Sequence, residues 1–288
     1  MSYPAAQTRQ PSSSPPARLA EAVGRSAARR AAAAGESVRF VGGMAWLLAQ
    51  TVKWIWRAAF TRQVKLRRHA VVAQMVRVGV RSIPIIVLVQ VFIGIILALQ
   101  MAPTLQNYGQ LQRVADVVGI AIFRELGPLI SAIVLSGFAG ASIAAELGTM
   151  VEAEEIKALR AHALNPIQFL VVPRFLATVI MLTGLAVIAD VVGTFGGFIT
   201  SWLVLDVAPR VYLDYTQAAL QNKDFLTGLV KAAVFGVLIC LIACREGLNV
   251  TGGAEGVGRA TTQTVVKSIV ALIGTDCLFT ATFYVFGW

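Results

Sequence analysis

Charge is scarce in this sequence. Asp, Glu, Lys and Arg make up only 14% of the 288 residues, against 57% hydrophobic. A soluble domain carries about 25% charged residues, so this chain cannot cover a water-facing surface, and a soluble globular enzyme is excluded. Histidine is rarer still, with only His69 and His162, and neither stands near an acid arranged for catalysis. No H-E-x-x-H or G-x-S-x-G occurs. Of the three cysteines, Cys240 and Cys244 are four apart and share a helix face, and Cys277 lies in another apolar run. Two thiols without a nearby imidazole make no zinc site, and no disulfide framework is implied. A phosphate-binding loop is also lacking. Gly253–Ala260 imitates the spacing, but Arg259 and Ala260 stand where Lys and Ser/Thr belong. The chain is therefore expected to be no enzyme, to hold no metal or cofactor, and to depend on another subunit for any ATP hydrolysis.

Long apolar runs are what the sequence does have. The formal net charge of +10 would suggest nucleic acid on a soluble protein. Here the cations crowd the first 81 positions beside the first apolar run, which fits anionic headgroups of a cytoplasmic leaflet and no nucleic acid. Residues 1–36 are rich in Pro, Ser, Ala and Arg without the apolar core of a cleavable signal. Their composition predicts a disordered cytoplasmic tail. In residues 37–69 an amphipathic stretch comes first, followed by a basic segment. Arg39, Gln50, Lys53 and Arg57 fall on one helical face and Phe40, Met44, Leu47, Leu48 and Ile55 on the other. That split predicts a helix lying in the membrane interface.

Five runs reach the roughly 18 apolar residues of a membrane helix: 83–101, closed by Pro103, then 117–145, 175–205, 225–243 and 265–287. The third is long enough to be one extended helix or a helix broken near Gly193. The fold class is an all-α integral membrane protein. Loop cations place the N-terminus on the cytoplasmic side. Between the second and third spans, Glu152, Glu154 and Glu155 precede Lys157 and Arg160, an order that suits the helix dipole. Asn165-Pro166 is expected to end this short cytoplasmic helix. Ser136, Gly140, Ala144 and Gly148 form a ridge of small residues in the second span, a pattern for close helix packing.

Four of the charges inside the spans fall at one depth: Arg124, Glu125, Lys231 and Asp276. At about 1.5 Å rise per residue, Glu125 and Lys231 fall roughly 10 and 9 Å below the outer boundary, and Asp276 reaches nearly the same level. An isolated charge in a bilayer costs about 2.5–3.5 kcal/mol on insertion scales, so these four are expected to meet in one buried polar cluster. An alternative reading makes Asp190, Asp276 and Lys231 the ion or proton path of a secondary transporter.

From Val80 to the end, residues 80–288, the chain resembles the MlaE/YrbE permease family, the membrane subunits of Mla- and Mce-type lipid transporters. The matching blocks run in order. They are Phe92-Ile93-Gly94, Arg124-Glu125-Leu126-Gly127-Pro128, Ala145 to Met150, Glu154-Glu155-Ile156, Asn165-Pro166, Leu170 to Arg174, and the glycine turn from Gly252 into Ala260-Thr261-Thr262. The resemblance implies an inner-membrane permease that works as a homodimer or pseudo-dimer, with cytoplasmic ABC ATPase subunits and a periplasmic MCE-domain protein as partners. It implies that residues 151–164 form the ATPase-coupling helix, with Glu152, Glu154, Glu155, Ile156, Leu159 and Arg160 at the contact. It also implies a phospholipid pocket between two permease copies, with Leu97, Leu105, Tyr108 and Glu125 at its wall. Two residues depart from the family pattern: Phe138 stands where Arg is usual, and Lys157 where Mce-type members carry Asp.

Overall fold

In the computed structural model the described residues are 15–60 and 68–286, and among them every regular element is helical. Helix α1 covers Pro15–Phe60, α2 Arg68–Val78 and α3 Ile83–Asn107. Helices α4 (Val114–Ala121), α5 (Gly127–Leu135) and α6 (Ala141–Glu152) follow, then α7 (Glu155–Ala161) and α8 (Val172–Leu203). Helix α9 (Pro209–Ala219) leads to α10 (Asn222–Leu248) and α11 (Gly253–Val285).

Five stretches are long and apolar enough to cross a membrane: Arg68–Asn107, Leu111–Glu152, Ile167–Leu203, Asn222–Leu248 and Gly253–Val285. The chain is thus an all-α, multi-pass membrane protein. The amphipathic stretch 37–60 is not among these spans. Within 47–60, Leu47 and Thr51 are buried while Lys53 and Arg57 are exposed. Arg57 rests its guanidinium 5.6 Å from the Trp54 ring. Most of the basic segment, 61–67, lies outside the described residues, as do 1–14.

Helix α1 begins at Pro15, inside the stretch whose composition suggests a disordered tail. Alanine, the strongest helix former, recurs through residues 17–34, and the first turn accepts Pro at little cost.

Helix α3 runs past Pro103 to Asn107, so that proline does not close it as the sequence suggests. The closure comes at Gly109, which adopts φ +67°. The Gly109 amide donates to the Gln106 carbonyl and the Gln110 amide to the Leu105 carbonyl, both at 2.9 Å, the bond pattern of a left-handed helix stop. The third span is one unbroken helix, α8, passing through Asp190 and Gly193 without interruption. Its glycines are used for contact instead. A Cβ on Gly94 of α3 would meet the Gly193 carbonyl oxygen of α8 at 1.9 Å, and one on Gly196 would meet the Val91 carbonyl at 2.5 Å. The two helices touch backbone to backbone, the approach that small residues permit in a bilayer.

The ridge in the second span works similarly. A Cβ on Gly148 would strike Val250 at 2.9 Å, and one on Gly140 would touch Ile239 and Thr264, so the ridge seats α6 and the turn before it against α10 and α11. That span is not a plain α-helix. Two wider, π-helical turns interrupt it, Ile122–Leu126 and Ser136–Gly140. Such turns insert an extra residue and re-aim the side chains beside them. Pro128 lies two residues beyond the first of these turns, where its missing amide loosens the helix ladder.

Candidate functional site: a shared lysine in the second, fourth and fifth spans

The first π-helical turn carries Arg124 and Glu125. From α10, Lys231 enters the same region with only 1% of its surface exposed. Its ammonium lies 2.6 Å from Glu125 Oε2 and 3.2 Å from Thr280 Oγ1, donating to both. Asp276 Oδ1 of α11 is 3.0 Å away. That last contact is an ion pair and not an aligned hydrogen bond, since the same oxygen has no hydrogen-bond partner. Thr280 in turn donates to Glu125 Oε1 at 2.9 Å. Asp276 and Thr280 are four apart, so both sit on the face of α11 that meets α10. The Phe283 ring centroid is 5.9 Å from the ammonium.

Glu125, Lys231 and Asp276 thus come together, and Arg124 does not join them. Its Nε faces Asp224 Oδ1 at 3.2 Å, at the start of α10. Successive helical residues diverge widely, by about 100° in an α-helix, so Arg124 and Glu125 face different neighbours. Asp224 is well placed to receive it. Its Oδ2 accepts the Gln221 amide at 2.9 Å in a capping box that starts α10. Asp224 and Thr280 were missed in the sequence. The Gln221-x-x-Asp224 spacing and the four-residue step from Asp276 were the available signals.

The cluster opens into a cavity of about 270 Å³ lined by Ile120, Ala121, Thr227, Phe283 and Tyr284 beside the charged groups. Lys231 carries one positive charge between two carboxylates, so one carboxylate is always incompletely neutralised. The ammonium lies within 3.0 Å of both acids, a charged group in a largely apolar wall.

The other residues singled out in the sequence lie elsewhere. Leu97 and Leu105 pack against the cluster of Ala98, Ala102, Val114, Val118 and Ile122. Tyr108 stands exposed at the end of α3. None of the three lines the Lys231 cavity. Asp190 is buried in α8, where its Oδ1 occupies the space that a Cβ on Gly127 would need. Among the described residues no ion pair or hydrogen bond links it to Lys231 or Asp276.

The segment between the second and third spans is shorter than its sequence suggests. Glu152 ends α6, Glu154 takes a left-handed conformation (φ 59°), and α7 covers only Glu155–Ala161. Ile156 is buried and Leu159 half-buried, while Glu152, Glu154, Glu155 and Arg160 are exposed. Lys157 pairs with Glu154 at 2.6 Å, and this holds the Glu154 carboxyl below its usual range. Asn165 does not stop this helix. Its Oδ1 accepts the Ile167 amide at 2.9 Å and so caps the next one.

A second charged cluster was not anticipated. Glu146, near the end of α6, is held by Arg77 of α2 and, at 2.9 Å, by Arg174 of α8. Lys267 of α11 similarly donates to Glu246 of α10 at 2.9 Å. Among the described residues no group of three or more His, Cys, Asp or Glu side chains is arranged to hold a metal.

The family of the permease MlaE matches residues 71–282. A probable ABC transporter permease protein of Rickettsia prowazekii is 36% identical over 214 residues, covering 74% of this chain and 83% of its own. The intermembrane phospholipid transport system permease protein MlaE of Haemophilus influenzae is 32% identical over 221 residues, 75% of this chain and 84% of its own. The chloroplastic protein TRIGALACTOSYLDIACYLGLYCEROL 1 of Arabidopsis thaliana is 32% identical over 220 residues, 76% of this chain and 63% of its own.

Proposed function

Since the chain belongs to the MlaE permease family, we propose that it is the membrane-spanning subunit of an ABC transporter that moves phospholipid. The observation that carries this is Lys231, buried between Glu125 and Asp276 at the wall of an apolar cavity. A buried charge is expensive in a bilayer and marks a transport path more often than a packing contact. A phospholipid has a charged head and apolar tails, and such a site meets both. The polar cluster would face the headgroup while Ile120, Phe283 and Tyr284 face carbon. The names of the relatives from Rickettsia and Haemophilus support the same reading.

On this reading the protein sits in the bacterial inner membrane with its N-terminus in the cytoplasm and works as a homodimer. Its partners are cytoplasmic ATPase subunits and a periplasmic MCE-domain carrier. The exposed acids Glu154 and Glu155 around α7 would contact the ATPase. The lipid pocket would form between two copies, with Leu97, Leu105, Tyr108 and Glu125 on its wall.

The test is reconstitution in proteoliposomes with the subunits that co-purify from native membranes. Glu125→Gln should abolish lipid transfer while the assembly and its bound ATPase persist. Transfer at the unaltered rate would overturn the role of the cluster. Reversing both Glu154 and Glu155 to Lys should release the ATPase from a folded permease. Retention of a fully stimulated ATPase would overturn the coupling role of α7.

A further inference from the structure

A second cavity, of about 250 Å³, lies at the other end of the second span, and its wall includes Gln74, Arg77, Arg81, Phe138, Ser142 and Glu146. Glu146 is 21 residues beyond Glu125 on the same span, which at about 1.5 Å per residue is roughly 30 Å away. The two cavities therefore stand at opposite faces of the hydrocarbon layer. We propose that this second cavity is a binding site for the phosphate-bearing headgroup of an anionic phospholipid. It shares with the function proposed above only the orientation, which puts this end in the cytoplasmic leaflet.

Charge comes first. Glu146 is already satisfied by two guanidinium groups, Arg77 on one oxygen and Arg174 on the other. Arg81 also lines the cavity, is exposed, and pairs with no acid among the described residues. Three guanidinium groups against one carboxylate leave an excess of two positive charges. A phosphodiester supplies the missing anion, and guanidinium binds it through paired, charge-assisted hydrogen bonds. Position agrees. Arg77 and Arg81 precede α3, whose apolar run begins at Ile83, so they lie at headgroup depth, where anionic lipids draw cations.

The remaining wall fits the rest of a headgroup. The Gln74 amide oxygen is buried with no hydrogen-bond partner, a standing cost unless some donor reaches it. A glycerol hydroxyl or an ammonium is such a donor. Ser142 offers a hydroxyl, and Phe138, 45% exposed in the second π-helical turn, gives an apolar face for glycerol and the first acyl carbons. The volume falls just below the range of about 300–1,000 Å³ for small-molecule pockets. It suits a headgroup, with the acyl chains left in the bilayer.

The experiment uses the full-length chain in mixed micelles of equal dioleoylphosphatidylglycerol and dioleoylphosphatidylcholine, with retained lipid counted by native mass spectrometry. The wild type should retain phosphatidylglycerol in preference. Arg81→Gln should lower that retention about tenfold, the loss of one charge-assisted contact, and leave phosphatidylcholine unchanged. Arg81 has no ion partner to lose among the described residues, so this variant should unfold at the wild-type temperature, and Arg81→Lys should restore part of the binding. Equal retention by wild type and Arg81→Gln would overturn the proposal. So would loss of the lipid in Glu125→Gln alone, which would place the headgroup in the first cavity. Displacement of the lipid by millimolar inorganic phosphate would make this a free-anion site and overturn the lipid assignment. None of these outcomes depends on lipid transfer, so failure of the transport reading would register separately.

Discussion

Asp224 holds Arg124 at 3.2 Å with one carboxylate oxygen and caps its own helix with the other. One side chain therefore ties the second span to the fourth and starts the fourth. Asp224→Ala should destabilise the protein by about 1–3 kcal/mol, combining the loss of a helix cap and of a partly buried ion partner. Arg124→Ala should cost less, because Asp224 keeps its backbone donor. A double-mutant cycle read by thermal unfolding in detergent should give a coupling of at least about 0.5 kcal/mol. Strict additivity would mean that the pair contributes nothing.

Lys231 should be the most sensitive residue of the cluster. Removing one partner of a buried ion pair typically costs about 3–5 kcal/mol, and Lys231→Met would leave two carboxylates facing each other. Glu125→Gln keeps hydrogen-bonding capacity beside Lys231 and Thr280, so it should be milder. The triple change Lys231→Met, Glu125→Gln, Asp276→Asn should recover part of the stability lost in Lys231→Met. Thermal unfolding and yield from membranes would check the order. A Lys231→Met protein as stable as the wild type would contradict the burial of the pair.

Gly94 and Gly184 offer a controlled comparison. Alanine at Gly94 would push into the Gly193 carbonyl, whereas nothing lies within 4 Å of a Cβ at Gly184. Gly94→Ala should cost about 1–3 kcal/mol by overpacking, and Gly184→Ala should be neutral or slightly stabilising. Equal effects would argue against the backbone contact between α3 and α8.

Ala163 follows α7 in a left-handed conformation, φ 58°, which costs a residue with a Cβ about 1–2 kcal/mol. Ala163→Gly should therefore stabilise the protein by up to about 1 kcal/mol, after allowance for the greater freedom of glycine in the unfolded chain. Ala161→Gly, inside the helix, should instead destabilise it by about 1 kcal/mol. A shift of the same sign in both would place the end of α7 elsewhere.

The spans and the Lys231 site were legible because the bilayer is a demanding solvent. Apolar runs of about 20 residues have few other fates, and buried charges at one depth must find each other. What was not legible was local geometry. Nothing in Ile122–Leu126 announces a π turn, and nothing near Arg124 in the sequence points to its distant partner Asp224. Glu154 and Ala163 are not residue types that favour positive φ, so the sequence points to a longer helix than α7. Asn-Pro breaks helices and points to a stop at Asn165, yet its side chain starts the following helix. Arg77 and Arg174 were visible as cations, but only the folded chain brings both to Glu146.

The glycine contacts between α3 and α8 also decide which parts of the molecule can move. With the Gly94 position pressed on the Gly193 backbone, the first and third spans have no side-chain cushion to slide on, and they form a single stiff plank. Helix α11 is different. Only 11% of its apolar window is buried, and beyond the close contacts near its start it is held through long side chains, Lys267 to Glu246 near its middle and Lys231 to Asp276 and Thr280 towards its end. Such links can lengthen, rotate and re-form. The far half of the last span is therefore fastened by side chains rather than by backbone, and Lys231 is its clasp.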